Sequence, residues 1–140
     1  MKLNNFKIAD DNIAFEYRDK YFDLHNCFDF VSLNYDISQK LLKLFWIKTE
    51  GDWVSIDSPK NIVLIVSDVY LFKTKERDKD KPYTEDDCLS SIGFVFNEEV
   101  DKMGGYFSNV PEKDCTHLSL EFESGFVLKI GAKYLEISVN

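Results

Sequence analysis

The feature that most constrains the fold lies in residues 115–139, CTHLSLEFESGFVLKIGAKYLEISV, where apolar and polar side chains alternate with a period of two. Leu118, Leu120 and Phe122 fall on one face of a strand, and Ser119, Glu121 and Glu123 on the other. Ser124-Gly125 supplies a tight turn, because glycine accepts the positive φ of primed hairpin turns. Phe126, Leu128 and Ile130 repeat the alternation on a return strand, and Leu135, Ile137 and Val139 repeat it again. A meander with one apolar face cannot stand alone in water, so the rest of the chain must cover it.

The remaining residues supply more strands. Phe6 to Ile8 predicts a short one, and Ile13, Phe15 and Tyr17 alternate in a second. Arg18-Asp19-Lys20 is the turn into a strand from Tyr21 to His25, and Val31, Leu33 and Tyr35 mark the inner face of the next. LLKLFWIK, residues 41–48, has helical spacing at Leu41, Leu42, Phe45 and Trp46. Eight residues bounded by turn chemistry favour a strand. Trp53 to Ile56 predicts a short return.

Residues 61–66 are apolar on both faces, which predicts a strand covered on both sides, and a one-residue shift after Ser67-Asp68 would turn Val69 and Leu71 back to the core. KTKERDKDK, residues 73–81, reads as a strand end running into a solvated, mobile tip. One short helix is predicted from Glu85 to Ile92. Thr84 is its N-cap, three acids fill its first turn, Cys88, Leu89 and Ile92 form its apolar side, and Gly93 stops it. Phe94 to Asn97 then predicts a further strand. The expectation is a single domain over residues 1–140, mainly β, an antiparallel β-sandwich or partly open barrel with one short helix.

Charge narrows the partners. Of the net −8, all is carried between Glu85 and Glu123, where ten acidic residues face two lysines. Such a field disfavours nucleic acid and anionic lipid and steers a basic protein partner toward the surface. Glu85, Asp86 and Asp87 at the predicted helix start, with Glu98, Glu99 and Asp101 around the next turn, form one docking face if helix and strand fold back on each other.

Reactive chemistry has little support. Cys27, Cys88 and Cys115 are scattered and odd in number, which together with the absence of an apolar leader predicts reduced thiols in the cytoplasm. No apolar run is long enough to cross a bilayer as a helix. His25 and His117 are the only imidazoles, both placed on polar strand faces, and no motif pairs either with a cysteine. Two histidines without i, i+4 spacing do not specify a metal site. Residues 78–87 have the acidic density of a calcium loop without its central glycine or ligand spacing, and no phosphate-cradling glycine motif occurs. The expectation is a non-enzymatic chain with no cofactor and no metal.

RDKDKPYTEDDCLSSIGF (77–94) followed by HLSLEFESGFVLKIGA (117–132) resembles small bacterial proteins in which an acidic EDDCL segment precedes a hairpin of FxSGxxIxIxA type. Proteins of this build are similar to immunity proteins of polymorphic or contact-dependent toxin systems. The resemblance covers less than half of the chain. It implies stoichiometric neutralisation of a cognate toxin, commonly a cationic nuclease, with no cofactor and no catalytic residue. Two other readings stand beside it: a small-ligand-binding β-barrel whose cavity is lined by Trp46, Trp53 and several of the phenylalanines, and a structural subunit that self-assembles through an edge strand.

Overall fold

The computed structural model describes residues 1–140, which form β1 (Lys2–Leu3), β2 (Lys7–Ile8), β3 (Ala14–Tyr17), β4 (Lys20–Asp23), β5 (Phe28–Asp36), β6 (Leu41–Lys48), β7 (Asn61–Ser67), β8 (Leu71–Lys75), β9 (Leu89–Val95), β10 (His117–Phe122), β11 (Val127–Gly131) and β12 (Tyr134–Val139). They build a five-stranded sheet in the order β1-β12-β7-β6-β5, a four-stranded sheet β8-β11-β10-β9 and a three-stranded sheet β2-β3-β4. Neighbours are antiparallel except β1 and β12. Every sheet has two end strands, so none closes into a barrel. The fold is a mainly β, sandwich-like packing, and no helix is long and apolar enough to cross a membrane.

Leu42, Leu44 and Trp46 of β6, with Ile62, Leu64 and Val66 of β7, are completely buried among Leu118, Leu120, Phe122, Leu128 and Ile130 of the four-stranded sheet. The three-stranded sheet adds Ile8, Phe15 and Phe22, with the Phe15 ring edge-on to Trp46 at 6.1 Å. Its β3–β4 turn is Arg18-Asp19, both at positive φ, so two non-glycine residues adopt the primed-turn geometry. On β5, Phe30 packs against Phe122 of β10 (4.8 Å) and Tyr35 against Phe72 of β8 (5.1 Å). The strand therefore runs obliquely over its neighbour sheet.

The predicted helix from Glu85 to Ile92 does not form. A single 3-10 turn spans Tyr83–Glu85 without a side-chain cap, and the chain then enters β9. The cause is a bulge: Leu89 pairs with Phe122 and Ser91 with Glu121, which leaves Ser90 as an extra residue. Leu89 and Ile92, three apart, thus share the core face of a strand, a spacing that otherwise signals a helix. Phe94 and Val95 belong to this same strand and start no new one. A second bulge, at Val31, exposes that side chain and lets Phe30 and Leu33 face inward together, which corrects the expected inner set of β5.

The predicted meander divides between two sheets. β10 and β11 pair with each other around Gly125 (φ 85°), whereas β12 crosses to lie between β1 and β7. Nor is the polar face of the β10–β11 hairpin open to water. Gly93, Ser119, Lys129 and Lys73 align across β9, β10, β11 and β8, and residues 96–108 lie over that row as a roof. Lys129, 1% exposed, donates to the carbonyls of Glu99, Val100 and Lys102, while Lys73 donates to Val100 O and Asp101 Oδ1. The Gly105 amide donates to Glu121 Oε2 at 3.0 Å. At Gly93 the roof comes so close that a Cβ there would stand 2.7 Å from Tyr106 Cβ.

Further corrections concern β7 and its surroundings. Only its inward residues are buried, and Val63 and Ile65 lie half-exposed on an outer face that also carries Phe45 and Ile47. Ser67-Asp68 is a crossover rather than a bulge: Asp68 takes φ 56°, Val69 is buried, and β8 starts in the other sheet. Residues 53–56 form turns, with Trp53 67% exposed.

His117, expected on a polar surface, is buried beneath Tyr70 with Nδ1 unpartnered. Burial, and then the Lys129 ammonium, hold its pKa below the ordinary imidazole value. Between that depressed pKa and about 6.5, the unfolded chain binds a proton that the native state refuses. Stability is therefore full above about pH 6.5 and falls as the pH drops through the native pKa. Urea midpoints from pH 7 to 5 should show this loss in the wild type and a shallower one in His117→Gln. Parallel slopes would remove His117 as the cause.

Candidate functional site

The structure separates the six predicted carboxylates. Glu85, Asp86 and Asp87 precede β9, and Glu98, Glu99 and Asp101 follow it, so a seven-residue strand spanning about 20 Å lies between the groups. The fold-back that was to unite them depended on the helix, which is not there.

The groups differ in their local pairing as well. Asp101 pairs with Lys73 at 2.9 Å, Lys102 reaches Glu99 at 3.4 Å, and the roof carbonyls hold Lys129. Lys73 accordingly holds the Asp101 carboxyl below its usual range. Asp86 is bound by Arg77 Nε at 2.7 Å, under a guanidinium that also stacks on Tyr83 at 4.2 Å. Glu85 and Asp87 have no basic partner.

Those two join a corner where the five- and four-stranded sheets meet. The Phe30 amide of β5 donates to Asp87 O at 2.8 Å, and the Glu123 amide to Cys88 O at 2.9 Å. Residues 24–27, which link β4 to β5, are fixed by Asp23, whose carboxylate accepts from the His25 and Asn26 amides and from the Asn26 side chain. This loop brings His25 onto the start of β9, where Nδ1 donates to Leu89 O at 2.7 Å and lies 3.5 Å from Cys88 Sγ and 3.9 Å from Glu123 Oε1. The Asn26 carbonyl accepts from the indole of the exposed Trp53 at 2.9 Å. Asp29, which accepts from Thr49 Oγ1 at 2.8 Å, adds a further carboxylate.

Burial and neighbouring negative charge act together here. Burial, followed by Asp29, raises the Asp87 pKa. Burial raises Cys88 to about 11, helped by Glu123, Asp87, Glu85 and Asp29. The thiol is thus protonated at neutral pH, the reverse of what a nucleophilic cysteine requires, even though its distance to His25 suits a Cys-His pair.

No family model, curated protein or solved structure matches this chain. The corner therefore stands on its own geometry. Sequence reasoning found Glu85 and Asp87 through charge density and missed Asp29, Glu123 and Trp53. It placed His25 on an open surface, where instead it is half-buried and 63 residues from the cysteine it meets.

The ligand-barrel reading loses both tryptophans of its lining, since Trp46 is packed solid in the core with Phe15, Phe28, Phe94 and Phe122 while Trp53 lies outside. A concavity of ≈ 740 Å³ is an open cleft beside β1, β2 and the β3–β4 turn, and neither tryptophan lines it.

Proposed function

We propose that this chain is a non-enzymatic protein-binding module that docks a basic partner at the corner formed by Asp29, Glu85, Asp87, Glu123 and Trp53. The observation that carries this reading is the local charge imbalance. Three of the four carboxylates have no basic partner, and Glu123 has only His25, whereas in the second group Glu99 and Asp101 are paired with lysines of the same chain and Glu98 alone is unpaired. An exposed tryptophan beside them is the residue type that most often anchors a protein interface, with charge at the rim guiding approach. Cys88, held as a thiol, favours binding over nucleophilic catalysis.

The resemblance of residues 77–94 and 117–132 to toxin-immunity proteins names the class of partner: a cationic toxin domain neutralised by occupation of its surface, inside the cytoplasm. Calorimetry against the product of the gene adjacent to this one tests the reading. The triple variant Asp29→Lys, Glu85→Lys, Asp87→Lys is expected to bind at least ~100-fold more weakly, and Glu98→Lys with nearly native affinity. Equal affinity for all three proteins would remove the corner and leave the immunity reading. A neighbouring gene product that the wild type does not bind would overturn immunity as well.

A further inference from the structure

We propose that His25, Cys88 and Glu123 form a binding site for a thiophilic divalent cation, zinc being the natural occupant. Their ligand atoms all lie within 4.8 Å of one another, and they come from three separate segments of the corner. Zinc bonds of about 2.3 Å to sulfur and about 2.0–2.1 Å to nitrogen or oxygen place tetrahedral S···N neighbours about 3.6 Å apart and N···O neighbours about 3.3 Å apart. The distances from His25 Nδ1 are 3.5 Å to Cys88 Sγ and 3.9 Å to Glu123 Oε1. The remaining pair, Cys88 Sγ and the Glu123 carboxylate, lies within 4.8 Å and must close toward about 3.6 Å, so side-chain rotations of up to about an ångström bring the three onto one ion.

The backbone under these ligands is already fixed. The Glu123 amide is bonded to Cys88 O, and Asp23 clamps the loop that carries His25. All three side chains are half-buried, which leaves a solvent-facing fourth position for water. Imidazole, thiolate and carboxylate together select zinc or cobalt over magnesium and calcium. The unpaired carboxylates of Asp29, Glu85 and Asp87 supply a field that draws in a cation.

Binding exchanges one set of contacts for another. The Cys88 Sγ–H proton, which faces His25 O at 3.6 Å, passes to water as the Zn–S bond forms. The His25 proton moves from Nδ1, where it is donated to Leu89 O, to Nε2, and the Nδ1 lone pair turns to the metal. No oxidant or reductant takes part.

This inference does not rest on partner binding and is tested on the isolated, reduced, full-length chain. Cobalt(II) titration should give a thiolate-to-cobalt charge-transfer band that saturates at one ion per chain, together with the intense visible bands of tetrahedral cobalt, and zinc should abolish both. Cys88→Ser should lose the charge-transfer band, while Cys27→Ser and Cys115→Ser keep it. Glu123→Gln, at a 40% exposed side chain, should weaken binding at least tenfold and keeps the test open if Cys88→Ser fails to fold. Overturning results are no band with excess cobalt, a band that survives in Cys88→Ser, weak octahedral spectra alone, which mark adventitious binding, or undiminished affinity in Glu123→Gln.

Discussion

Replacing Trp46 by alanine is expected to destabilise the fold by about 3–5 kcal/mol, the range for removing a fully buried large aromatic. The indole lies 5.2 Å from Phe30 and 6.1 Å from Phe15, so it packs along its own sheet against the edge strand β5 and across to the three-stranded sheet. No single neighbour can move into the space it leaves, because each belongs to a different sheet or strand. Its Nε1–H has no acceptor, so Trp46→Phe, which removes that unsatisfied donor, should cost clearly less than Trp46→Ala. Trp53→Ala is the contrast. That ring is mostly exposed, and its loss should shift stability by no more than about 1 kcal/mol. Urea unfolding of the three variants decides the matter. A Trp46→Ala cost below that of Trp53→Ala would contradict the packing described.

Gly93→Ala is expected to destabilise by about 2 kcal/mol or more, as overpacking does in a filled core. The sign is the diagnostic part. In an unhindered strand the same change is stabilising, since alanine has less conformational freedom to lose. Here the new Cβ would meet Tyr106 Cβ at 2.7 Å, Asn12 Nδ2 at 2.9 Å and the Ser108 carbonyl at 3.0 Å, atoms from two different segments. Asn12 cannot retreat freely, because its side chain donates to Ile92 O at 2.8 Å while its own carbonyl accepts from the Ile92 amide. Hydrogen exchange should quicken in residues 96–108 as the roof lifts. A stabilised Gly93→Ala with unchanged exchange would show that the roof does not sit on the sheet at this point.

How far these features are legible in the sequence follows from the range of the interactions that make them. The period-two pattern at 117–122 announces a strand because that signal is local, whereas at 41–48 helical spacing competes with it and the shortness of the run between turn-forming residues decides for a strand. The helix expected over Glu85 to Ile92 fails because a bulge at Ser90 imitates helical spacing, and Gly93 reads as a stop when its role is to admit Tyr106. Ser119 and Lys129 read as solvated because the loop that covers them is about ten to thirty residues away and carries no pattern of its own. The His25–Cys88 encounter is the hardest to foresee. It depends on two sheets meeting at one corner, and no property of either residue's neighbours encodes that.

The parallel pairing of β1 with β12 has a kinetic consequence. Asn5, whose side-chain Nδ2 donates to the Ile137 carbonyl and whose Oδ1 accepts from the Ile137 amide, lies 132 residues from that partner. Contacts over such spans fold late, since the loop they close must be ordered first. During synthesis on the ribosome, β7 therefore presents a bare, apolar flank until Tyr134–Val139 has emerged, and that interval is when the nascent chain most needs protection from joining strands with its neighbours.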